Sequence, residues 1–229
     1  MVTVLPKAMV CGAIAALLAL GSPLAAQNEV PAEPLTIGTS YLVNTQDADR
    51  RIHVVVPPSY DSDDTAYPLV VVLDGGLEQD FFLTLGMQRW NQLWQRSAPA
   101  IFVGVETVDR QRELLPPTAA TEEREHYPTA GQSAAFRAWL AQTVLPMLRE
   151  RYRTDGRAFL VGESAAGHFV VETGIDQPAL FDGFAALSPS LQWNEQALSL
   201  RFAAMPEVSP RPLAKPFDGG GGATEGGVL

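Results

Sequence analysis

Apolar residues in this chain gather into short blocks separated by polar or small-residue turns, and the blocks alternate between two periods. Residues 68–73, Pro-Leu-Val-Val-Val-Leu, form an unbroken apolar run of the kind buried on both faces of a parallel sheet. Residues 100–105 repeat the pattern, residues 157–161 lead apolar into a turn, and residues 184–187 form a further short run. Earlier, residues 35–43 and 51–56 are β-rich and flank the polar stretch 44–50, which predicts a hairpin. Pro57-Pro58 ends its second strand, because proline cannot donate to a ladder.

Helical spacing fills the gaps. Residues 81–96 read as a helix carrying Phe82, Leu85, Trp90, Leu93 and Trp94. Phe136, Leu140, Val144 and Leu148 share one helical face, with a kink expected near Pro146. Residues 194–205 read as a last helix, with Asn194 as its N-cap. Residues 110–131 read as one long polar connection, and connections of that length are uncommon unless functional. Strands alternating with helices in this way predict an α/β fold, a mainly parallel sheet covered by helices.

The two ends differ from the middle. Residues 1–26 read as an export signal: Lys7, then an uncharged apolar run over 10–20, then small residues at 22–26. That run is short for a membrane span, which needs about 20 residues, so no stable membrane anchor is expected and the product is periplasmic or extracellular. Cys11 is the sole cysteine and leaves with the signal, so neither disulfide nor thiol chemistry is expected. Residues 206–229 hold four prolines and the run Gly219-Gly220-Gly221-Gly222, and read as a disordered tail. Residues 27–205 are left as one domain.

Composition narrows the function. The chain has 229 residues, 46% of them hydrophobic, enough for one substantial core. Its net charge of −10 and the absence of any basic run argue against nucleic acid as a partner.

One stretch carries candidate chemistry. In Val161-Gly162-Glu163-Ser164-Ala165-Ala166-Gly167-His168 an apolar strand enters a turn of small residues around one serine, and an apolar run leaves it. Such an elbow lifts a hydroxyl above a sheet, and Gly162 and Ala166 occupy the places where strand and helix close on each other. Taken alone the pattern is weak, since small residues also line ordinary strand–helix turns. Ala166 stands where glycine is more usual.

Taken with its surroundings, the stretch resembles the α/β-hydrolase fold, in particular the esterase family that includes siderophore esterases and relatives of S-formylglutathione hydrolase. The resemblance covers about residues 35–198. It is carried by Tyr67-Pro68 through Asp74-Gly75-Gly76, by Asp109-Arg110-Gln111-Arg112-Glu113-Leu114, by residues 131–136, by Tyr152-Arg153-Thr154-Asp155, by Gly162-Glu163-Ser164, and by Phe181-Asp182-Gly183-Phe184 through Ser188-Pro189-Ser190. It implies a serine carboxylic-ester hydrolase acting on a small-molecule ester without cofactor or metal. Ser164 would be the nucleophile. The backbone N–H of Ala165 would form half of the oxyanion hole, and that of Gly76, or alternatively Leu77, the other half. The fold's order is serine, acid, histidine, yet no histidine follows His168. The acid and base are therefore unassigned, and the chain reads as lacking the last strands of the fold, as in a truncated or frame-shifted product. A non-catalytic remnant or binding module is the alternative, and acyl transfer on the same fold a further one.

Other candidates have simpler readings. His126 in the long connection and Trp193 are possible substrate-pocket residues, against a surface loop and a core cap. His168 reads as a packed helix residue and His53 as structural. His168 and Glu172 have helical i, i+4 spacing but lack a third ligand. Glu122, Glu123 and Glu125 read as a solvated face rather than a calcium site.

Overall fold

The computed structural model describes residues 32–44 and 49–205. The expected signal at 1–26 and the expected tail at 206–229 lie outside the described residues. The described residues from Ile37 on belong to one compact unit; residues 32–36, outside it, are exposed and in no regular element.

Among the described residues six strands form one sheet: β1 Thr39–Asn44, β2 Asp49–Val55, β3 Tyr67–Leu73, β4 Ile101–Val105, β5 Thr154–Glu163 and β6 Gly183–Leu187, in the order β1-β2-β4-β3-β5-β6. The hairpin β1–β2 pairs antiparallel, and β2 also runs antiparallel to β4. The other three pairings are parallel. β1 begins four residues later than the β-rich run at 35, and residues 35–38 make no ladder. β3 and β4, the unbroken apolar runs, are the strands buried on both faces: Leu69, Val71, Leu73, Ile101, Val103 and Val105 have no exposed surface.

Seven α-helices occur among the described residues: α1 Phe81–Leu93, α2 Arg110–Leu114, α3 Thr121–His126, α4 Ser133–Trp139, α5 Leu145–Arg151, α6 Ala165–Asp176 and α7 Trp193–Ala203. A π-helical turn, Leu140–Val144, joins α4 to α5. It takes up the disturbance expected at Pro146, whose ring nitrogen cannot donate to the helical ladder that continues into α5. Phe136, Leu140, Val144 and Leu148 are buried, as their spacing requires.

Two expectations, on residues 110–131 and on Asn194, need correction. Residues 110–131 are not one irregular connection. They contain α2 and α3, and α2 buries Glu113 by pairing it with Arg50 (2.7 Å). α1 faces the sheet through Phe81 and Leu85, while Phe82, Trp90, Leu93 and Trp94 are all more than half exposed. Asn194 does not cap the last helix. It has φ 52° and ψ 54°, left-handed as are Glu195 and Gln196 after it, so the right-handed turns of α7 begin only beyond Gln196.

Candidate active site

β5 delivers Ser164 to the C-terminal end of the parallel strands, where ligands bind in open α/β sheets. The residue sits between β5 and α6 with φ 57° and ψ −115°, a strained conformation for a side chain with a Cβ. The surroundings hold it there. Ser164 N–H donates to the Leu187 carbonyl (3.0 Å), while the Ser164 carbonyl accepts from the N–H groups of His168 and Ser190 (2.9 Å each). Gly162 is required at this turn: a Cβ there would lie 2.6 Å from the carbonyl carbon and oxygen of Ala166. Ala166 is fully buried, and its methyl lies 2.8 Å from that same point. Glycine at 162 thus makes the room that lets alanine stand at 166.

The Ser164 hydroxyl opens on a cleft of about 230 Å³ lined by Arg110, Tyr127, Ala165, Ser190, Gln192 and Trp193, among others. Its hydrogen-bond partner is the Ser190 hydroxyl, 3.2 Å away. Ala165 opens α6, so its N–H is one of the donors that a helix start leaves without an intrahelical partner. Across the loop after β3, the Gly76 N–H donates to Gln79 Oε1 (2.9 Å), and Gln79 Nε2 donates to the Thr107 carbonyl (3.0 Å). Leu77 is 45% exposed, and no hydrogen bond of its N–H occurs among the described residues. Neither Gly76 nor Leu77 lines the cleft.

His168 is buried, and among the described residues no hydrogen bond joins its ring to the Ser164 hydroxyl. Its Nδ1 lies 2.9 Å from the Ser190 carbonyl; a carbonyl only accepts, so Nδ1 carries the proton. Burial holds the imidazole pKa below its ordinary value, opposed by that bond and by Glu123. Its Nε2 has no partner among the described residues. Glu172, four residues on, is tied to Arg137 (2.9 Å), so the pair does not form a metal site; among the described residues no cluster could hold a metal ion. His126 is exposed on α3 and touches the cleft only through its neighbour, its ring lying 4.7 Å from that of Tyr127. His53 is buried against Phe81.

Two features were not read from the sequence. Asp74, buried and at φ 51°, accepts from Arg110 Nε (2.6 Å) and from the Thr107 hydroxyl. Arg110 reaches on toward the Glu163 carbonyl (3.5 Å), so one ion pair ties together the loops after β3 and β4 and the end of β5. Asp74 and Arg110 stand only as carriers of the resemblance in the sequence, because their pairing spans 36 residues. Glu123, placed with a solvated acidic face, is half-buried and accepts from the Asn194 backbone N–H through both oxygens (3.0 Å each). That contact fixes the start of α7 beside the cleft.

A family model described as "Putative esterase" matches residues 44–210. Ferri-bacillibactin esterase BesA of Bacillus subtilis is 24% identical over 170 residues, 67% of this chain and 58% of that protein. Uncharacterized protein YbbA of the same organism is 22% identical, over 69% of this chain and 63% of its own length. The chain thus spans about three-fifths of the length of these curated relatives. Among solved structures, siderophore hydrolase EstA from Aspergillus nidulans aligns with a TM-score of 0.64 at 21% identity, covering 76% of this chain and 65% of that one. The hydrolase IroE, titled for enterobactin and salmochelin, aligns at 0.57 and 22%, covering 73% and 68%. At these identities the likeness shows the fold, that of the α/β-hydrolases. Among the described residues no helix is long and apolar enough to cross a membrane.

Proposed function

The chain belongs to the esterase family whose model spans residues 44–210, and from that premise we propose that it is an exported serine hydrolase of small carboxylic esters, with Ser164 as nucleophile. The observation that carries the reading is the strained Ser164 elbow opening on a cleft, since backbone strain of this kind persists where function requires it. Names of relatives point to siderophore esters as the substrate class. Export rests on the sequence of residues 1–26, and no cofactor takes part.

In the reaction the Ser164 oxygen attacks the ester carbonyl, its proton passes to a base, and the carbonyl oxygen becomes an oxyanion. The Ala165 N–H supplies one donor to it. Of the two expected sources of the second, the Gly76 N–H already serves Gln79, and Leu77 supplies it only if the loop after β3 brings its N–H to the cleft, which it does not line here. Collapse expels the alcohol and leaves an acyl-serine, which water then hydrolyses to release the acid. Fixed donors aimed at developing charge usually supply a large share of such catalysis. Trp193 forms the cleft wall, and His126 stands behind Tyr127 at its rim.

The second reading, a binding module without turnover, is favoured by one fact: no histidine among the described residues bonds the Ser164 hydroxyl. A fluorophosphonate separates the two. Ser164 displaces fluoride from phosphorus, so a mass increase on the Ser164 peptide, absent in Ser164→Ala, supports the hydrolase. An intact, folded chain with no adduct supports the module. Removing the base from a triad still leaves roughly 10³–10⁴-fold catalysis over water, so slow turnover is expected. His168→Gln is expected to leave adduct formation within about twofold, because the imidazole serves Ser190. Loss of labelling in that variant, with its melting unchanged, would make His168 the base.

A further inference from the structure

Trp193 stands between two spaces. It lines the cleft at Ser164, about 230 Å³, and also a second space of about 150 Å³ whose walls include Pro116, Pro117, Ala197 and Leu198 and, among polar groups, His168, Glu172 and Arg201. The indole is only 5% exposed, donates its Nε1–H to the Pro116 carbonyl (2.9 Å), and takes the Tyr127 ring edge-on at 5.8 Å.

The backbone that positions it is costly. Asn194, Glu195 and Gln196 follow in succession with φ of 52°, 53° and 64°, and a left-handed residue with a side chain costs roughly 1–2 kcal/mol each. The turn is held from outside: the Glu123 carboxylate takes the Asn194 N–H, and the Asn194 Oδ1 accepts the Ala119 N–H at 2.9 Å. Strain clamped in this way, next to a cleft, serves to place one side chain. That side chain is the indole of Trp193.

The cleft alone falls below the range of about 300–1,000 Å³ common for sites that enclose drug-sized ligands. Joined to the cavity through the volume of an indole, it enters that range. Four of the added walls, Pro116, Pro117, Ala197 and Leu198, are apolar and suit an alkyl chain, while the charged ones, Glu172 and Arg201, are held in ion pairs with Arg137 and Asp176.

We propose that Trp193 is a partition that confines the cleft to short acyl groups, and that removing its indole opens the cavity behind it to long ones. The proposal rests on the hydrolase reading for the occupant of the cleft. Its test does not need turnover. In a Ser164→Ala background, binding of 4-nitrophenyl butanoate and 4-nitrophenyl decanoate is measured by calorimetry, with and without Trp193→Ala. The parent is expected to favour the butanoate by about tenfold, and the variant to move the ratio at least tenfold toward the decanoate. Trp193→Leu serves in its place if the alanine variant loses its melting transition. An unchanged ratio in a variant that melts like the parent overturns the proposal, as does a parent that binds both esters alike. With Ser164 restored, a shifted binding ratio without hydrolysis of either ester leaves the partition standing and removes the esterase reading.

Discussion

Arg137→Ala is expected to cost about 3–5 kcal/mol of stability at neutral pH, the usual penalty for leaving a buried charge without its partner. Arg137, 3% exposed, bonds Glu172 (2.9 Å) and Asp176 (2.8 Å), and its guanidinium lies 5.6 Å from the centre of the Phe169 ring. Arg201 adds a further bond to Asp176 from the surface. This network fastens α4, α6 and α7 together beneath the elbow. A loss of that size is a large part of a domain's 5–15 kcal/mol.

The pH dependence follows from the two carboxyls. Burial raises the Glu172 pKa above its ordinary value, and Arg137 pulls it back down. Burial pushes Asp176 up as well, but bonds from Arg137 and Arg201 outweigh it and leave the group below its ordinary value. Without Arg137, Glu172 rises further, so its ionised form is disfavoured in the fold and its penalty fades as pH falls through that raised value. Asp176 contributes stability above its unfolded pKa, and loses part of that contribution in the variant. The Glu172 effect makes the gap between parent and variant widest near pH 7 and narrower toward pH 4.5, whereas the Asp176 part persists there and fades only at lower pH, below that group's ordinary value. Urea denaturation at the two pH values measures it. A gap that is equal at both would mean that the loss is one of packing alone. Glu172→Gln is expected to cost less than Arg137→Ala, since Arg137 keeps Asp176.

The parts of this molecule that were legible in the sequence are those built from neighbours. The apolar runs of β3 and β4, the spacing from Phe136 to Leu148 and the small residues around Ser164 each depend on a few positions close in the chain. The parts that were not legible depend on distant partners. Nothing local distinguishes Glu113 from an exposed acid; Arg50, 63 residues earlier, makes it a core residue. Asn194 has the chemistry of a helix cap, but Glu123 and Ala119 draw it into a left-handed turn instead. In α1 the spacing marks a helix but not its buried face: the sheet takes Phe81 and Leu85, while Phe82 and Trp90 are more than half exposed. At the site, the serine and its helix start were readable, whereas the Asp74–Arg110 tie and the engagement of the Gly76 N–H by Gln79 needed the folded geometry.

Self-association through β6 is the other large expected effect. β6 pairs with β5 on one side, and among the described residues no strand pairs with its other side. Where β3 and β4 are sealed, β6 is open: Phe184 is 36% and Leu187 44% exposed. Beside it Val170, Val171, Phe184 and Ala186 line an apolar groove with Phe202 and Met205, which are themselves exposed. An apolar strand with unpaired N–H and C=O groups is a template for pairing with another chain. Covering a few hundred Å² of apolar surface at about 25 cal/mol per Å² returns several kcal/mol, enough to drive association at working concentrations. Light scattering on the purified chain is therefore expected to show growth with concentration. Ala185→Lys with Phe184→Lys, which places charge on the open edge, is expected to suppress it while leaving far-UV circular dichroism unchanged. A parent that stays monomeric at all concentrations and melts in one sharp transition would show that residues outside the described ones already cover β6.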